Sequence, residues 1–175
     1  MRTRNLVAMC VVALALSGCA SRPTRIAQPP LGAPAAATTV QALFESGRDD
    51  DVVTRAAATA GAEELWFSAQ SRLRMGQRAE AIADFTRLAN TASSAAFQAA
   101  ARLALSRLTG EDGLAAAARD AADRFPIDPV VQFEAGLTFA VLGTQDAAAR
   151  SFDAATEAAP LLAYAYYQAG LAYSK

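Results

Sequence analysis

The sequence predicts an all-α chain of paired helices, and three observations carry that reading. Gly76, Gly110 and Gly143 recur 34 and 33 residues apart. Pro126 and Pro160 are also 34 residues apart. Each glycine is preceded by one amphipathic, alanine-rich run and followed by a second. Glycine there ends one helix and permits the positive φ of a tight helix–helix turn. Proline closes the second helix because it cannot continue one.

Taken in chain order, the first element is the apolar stretch 6–16, within "LVAMCVVALALSGCASRP". At 11 residues it is too short for a span, which takes ~20. Arg2 and Arg4 precede it without an acidic residue, and the small residues Ser17 and Gly18 follow. That layout reads as a secretory signal over residues 1–18. Leu16-Ser17-Gly18-Cys19 resembles the lipobox of bacterial lipoprotein precursors, in which the cysteine is lipidated and becomes the mature N-terminus. The resemblance implies an acylated, palmitate-bearing Cys19. Ala20 after it resembles the cargo that Gram-negative cells sort to the outer membrane, facing the periplasm; the outer leaflet of the inner membrane is the alternative. Each buried methylene contributes about 0.8 kcal/mol and a single chain holds only marginally, so a triacylated Cys19 tethers the protein without spanning.

Residues 19–37 hold four prolines and small residues, with too little bulky apolar surface to offset ordering. They read as a flexible tether. Residues 38–60 read as a shorter helix pair turning at Gly47, a divergent cap or half-repeat. Asp49-Asp50-Asp51 looks like a helix start, where negative charge is favoured. Calcium loops instead space their ligands through a glycine-containing turn. Glu111-Asp112 and Asp128 read the same way, as helix starts, and Gly110–Gly113 lacks the Lys and Ser or Thr of a phosphate-binding loop.

From residue 61 to 175 the units resemble the tetratricopeptide repeat. In 129–162, Gly136, Phe139, Ala148, Phe152, Ala155 and Pro160 fall on the family's small and large signature positions. Small Gly136 and Ala148 let two helices approach, and Phe139 and Phe152 fill the space beside them. The unit 62–94 keeps Gly76, Ala81 and Phe85, with Arg72 where an aromatic is usual. The middle unit is degenerate at Leu114 and Ala118, but its length and Pro126 hold the register. The end repeats the first-helix signature with Tyr166, Ala169, Gly170 and Tyr173. That last helix is either a cap or an element whose second helix comes from elsewhere, a second copy of the chain included. The expected fold is therefore a helical-hairpin solenoid of about three repeats plus a terminal helix, behind a signal peptide and a disordered tether.

The resemblance implies a concave face lined by the first helix of each pair. Its expected lining is Trp66, Phe67, Gln70, Arg74, Phe97, Arg107, Phe133, Glu134, Leu137, Tyr164, Tyr167 and Gln168. Aromatics with scattered arginines suit a protein or peptide partner; several of them, Trp66 and Phe133 above all, could equally belong to the inter-helix core. The carboxylate clamp of chaperone-binding relatives is not expected, because Trp66, Gln70, Ala100, Ala104, Phe133 and Leu137 stand in its places.

Composition narrows the chemistry. Loss of Arg2 and Arg4 leaves 14 basic against 17 acidic residues, which does not suit nucleic acid. The chain has no histidine, and Cys10 leaves with the signal while Cys19 is lipidated. No His triad, His metal site or disulfide is then open to the mature chain. We expect no cofactor, no metal and no catalysis. The expected role is a scaffold or assembly factor in an envelope complex. The alternatives are an accessory subunit or regulator of a periplasmic enzyme, or a hydrolase using a pair of carboxylates.

Overall fold

The computed structural model describes residues 39–59, 61–159 and 163–173. The signal peptide, Cys19, the tether and Pro160 lie outside the described residues. Within them the chain is all-helical: α1 (Val40–Glu45), α2 (Asp49–Thr59), α3 (Ala62–Arg74), α4 (Arg78–Thr91), α5 (Ala95–Thr109), α6 (Leu114–Arg124), α7 (Pro129–Val141), α8 (Gln145–Ala158) and α9 (Ala163–Tyr173). None of these helices is long and apolar enough to cross a membrane.

Local chemistry sets the boundaries. Thr39 caps α1 by accepting from the Ala42 amide (3.1 Å). Asp128 caps α7, its Oδ1 accepting from the amides of Val130 (3.1 Å) and Val131 (3.0 Å), with Pro129 in the first helical position. Asp49, Asp50 and Asp51 occupy the first turn of α2. Gly76, Gly110 and Gly143 all take positive φ, between 73° and 77°, at the three turns where the spacing requires it. One boundary differs from the sequence reading: Glu111-Asp112 precede α6, which begins at Leu114. Gly113 takes φ 78° and holds the N-cap position, so the two acids lie in the turn. There Glu111 accepts from the hydroxyls of Ser106 (2.7 Å) and Thr109 (3.3 Å).

The helices pack in chain order, each against the next, and α1, α3, α5 and α7 also pack in succession on one another. The odd-numbered helices form the inner layer. Residues Leu65 to Ser71 of α3 are all buried, as are Val131 to Gly136 of α7. A helix buried around most of its girth lies inside the packing, whereas α2, α4 and α6 bury only a stripe. The α7/α8 pair is packed to contact: a methyl group built on Gly136 would come within 2.6 Å of the Phe152 ring. Arg72, where the tetratricopeptide pattern has an aromatic, instead forms an ion pair with Asp84 of α4 (2.9 Å), which also accepts from Ser68 (2.7 Å).

The array closes on itself. Five aromatic rings from four inner helices make a circuit. It runs from Phe44 to Phe67 (5.1 Å), Trp66 (4.9 Å), Phe133 (5.5 Å), Tyr164 (5.6 Å) and back to Phe44 (5.4 Å). The first and last described helices, α1 and α9, therefore touch through Phe44 and Tyr164.

Candidate functional site

The register places Trp66, Gln70, Arg107, Phe133 and Glu134 together, but within the interior. Trp66 is 1% exposed and Glu134 0%; Phe67, Gln70 and Phe133 are buried with them. The expected open aromatic groove is thus filled by its own side chains. The cause is non-local: α1 and α9 meet through Phe44 and Tyr164, so the centre of the face lined by the inner helices is covered. Phe97, Leu137, Tyr164 and Gln168 are half-buried, and Tyr167 is exposed. Arg74 holds the edge of α1. Its Nη2 donates to the Phe44 carbonyl (2.8 Å), its guanidinium lies 3.6 Å over the Phe44 ring, and it pairs with Asp49.

Glu134 is the polar centre of this interior. Its Oε1 accepts from the Trp66 indole N–H (3.0 Å) and from the Gln70 amide, and its Oε2 accepts from Arg107 Nη2 (2.7 Å). Burial raises its pKa above the usual carboxylate value; Arg107 and the hydrogen bonds from Trp66 and Gln70 oppose the rise without cancelling it. With three donors and no exposed surface, this carboxylate holds α3, α5 and α7 together.

The open surfaces among the described residues include two that are rich in aromatic side chains. The first is a cavity of about 240 Å³ at the end of the inner layer where α1, α3, α5 and α7 begin. Trp66, Phe67 and Phe97 line it with Pro129 and Val130, and Gln41, Glu63 and Asp128 supply its polar groups. The second is the outward side of α9, where Tyr166 (52%), Tyr167 (61%) and Leu171 (42%) are exposed. The helix AYAYYQAGLAY carries no charged residue. Gly170, read in the sequence as a close-packing position, has open space around it among the described residues.

The sequence reading did not single out Phe44, Gln41, Glu63 or the cavity-facing role of Asp128. Phe44 is the only aromatic in 38–60, and that was its one available signal. Among the described residues no group of three His, Cys, Asp or Glu side chains is placed to hold a metal ion. Asp49 and Asp51 of the aspartate run pair with Arg74 and Arg48. The chain matches no protein-family model, no curated protein and no solved structure.

Proposed function

We infer that the chain is a lipid-anchored protein of the bacterial cell envelope, outer-membrane-bound and facing the periplasm. Its helical hairpins, of the tetratricopeptide type, serve as a scaffold or assembly factor that holds a protein partner. The anchor rests on the resemblance of Leu16–Cys19 to a lipobox and the repeat type on the glycine and proline period. The single observation that carries the binding role is α9, which presents two tyrosines and a leucine to solvent on a helix without charge. Large exposed apolar patches mark interaction sites, and tyrosine anchors dominate such interfaces. The hydrolase alternative needs two converging carboxylates. Glu134, the fully buried carboxylate among the described residues, is instead engaged by three donors.

The test is a crosslinking pull-down of the lipidated protein from its own envelope, beside a Tyr166→Ser, Tyr167→Ser double variant. Both side chains are exposed, so the variant keeps its helicity by circular dichroism. One defined partner, or a second copy of the chain, is expected from the parent and lost in the variant. Equal capture by both overturns α9 as the working surface. Cys19→Ser is expected to abolish palmitate labelling and release the protein from the membrane fraction.

A further inference from the structure

The cavity at the start of the inner helices has a composition that α9 lacks. Its floor is aromatic, from Trp66, Phe67 and Phe97, and its polar groups include two carboxylates, Glu63 and Asp128, while no Lys or Arg lines it. Glu63 is exposed and Asp128 half-buried, and neither forms an ion pair among the described residues. One oxygen of Asp128 is occupied by the Val130 and Val131 amides; the second is left for another donor. Both acids stand at helix N-termini, where the helix dipole favours negative charge. A ligand here gains modest ionic attraction and apolar contact with Phe97, Pro129 and Val130, which are half-buried.

We propose that this cavity takes an arginine side chain from a partner peptide, its aliphatic stem against Phe97, Pro129 and Val130 and its guanidinium between Glu63 and Asp128. Arginine fits better than lysine because its planar fork has five donors to share between two carboxylates, and it packs flat on aromatic rings. A volume of about 240 Å³ admits one such side chain and little more. The site is separate from the outward side of α9, so the two readings stand or fall independently.

The protein supplies its own reporter, since Trp66 is its only tryptophan and lines the cavity. The experiment titrates the mature full-length chain with acetyl-Ala-Arg-Ala-amide and with the same peptide carrying citrulline, which keeps the shape of arginine without the charge. Saturable change in Trp66 fluorescence is expected with the arginine peptide, at least fivefold weaker with citrulline and weakened by added salt. Glu63→Gln and Asp128→Asn are each expected to weaken binding about two- to fivefold, the range for an exposed ion pair. Asparagine still caps a helix, and unchanged thermal midpoints in both variants confirm that the fold is kept. Absence of saturation with the parent, equal affinity for the citrulline peptide, or parental affinity in both variants overturns the proposal.

Discussion

At the scale of single residues, two glycines on α7 and α9 respond in opposite directions to the same change. Gly136 is packed so that a methyl group would meet Phe152 at 2.6 Å. Overpacking of this kind costs about 1–3 kcal/mol, so Gly136→Ala lowers the thermal midpoint despite the better helix propensity of alanine. Gly170 has open space among the described residues, and alanine there contributes ~0.5–1 kcal/mol by restricting the unfolded chain. Gly170→Ala raises the midpoint. Thermal melts of the two variants side by side decide this, and equal signs would contradict the packing described.

Glu134 gives a second residue-scale prediction. Its pKa is raised in the folded chain, chiefly by burial, so the folded state holds this proton more tightly than the unfolded state does. Its contribution to stability is therefore fully present below the ordinary value of 4.5 and is lost as pH rises through the folded value. Urea midpoints of the parent and Glu134→Gln, measured from pH 7 down to that range, should show the parent gaining on the variant as pH falls. The other carboxylates titrate alike in both and cancel in the difference. Glu134→Leu leaves Arg107, whose side chain is only 10% exposed, without its partner, and breaking a buried pair in this way costs about 3–5 kcal/mol.

At the scale of elements, the turns were legible in the sequence and the closure was not. Gly47, Gly76, Gly110 and Gly143 announced their turns because positive φ is a local demand that glycine alone meets cheaply. Asp128 announced α7 for an equally local reason. Glu111-Asp112 misled because Gly113, two residues on, takes over the N-cap position. The candidate lining was legible as one face of successive first helices, and Trp66, Gln70, Arg107, Phe133 and Glu134 do come together. That this face is internal depends on Phe44 meeting Tyr164 across 120 positions of sequence, which no local pattern records. Tyr164→Ala cuts that link and also removes a neighbour of Phe133 in α7. Amide hydrogen exchange should then show α1 and α9 losing protection together, with α4 and α6, which Tyr164 does not touch, unchanged.

At the scale of the whole molecule, closure changes what kind of object the chain is. An open repeat array has stability that sums over neighbours and can unfold from its ends. Here Trp66 and Gln70 of α3 reach Glu134 of α7, and the aromatic circuit joins α1 to α9. Contacts that skip intervening helices couple the ends to the middle, and unfolding should follow one transition by both helicity and Trp66 fluorescence. With the inner face filled, the binding role proposed above falls to the outer surface, where burying the exposed tyrosines of α9 needs no rearrangement of the core.

The closed interior is tested most directly by quenching of Trp66, the only tryptophan, with iodide in the folded protein and in the same chain unfolded in urea. Its indole N–H is hydrogen-bonded to a fully buried carboxylate, and its side chain is 1% exposed. Strong shielding in the folded state, lost on unfolding, is the expected result. Equal quenching in the two states would mean that the inner face is an open groove after all.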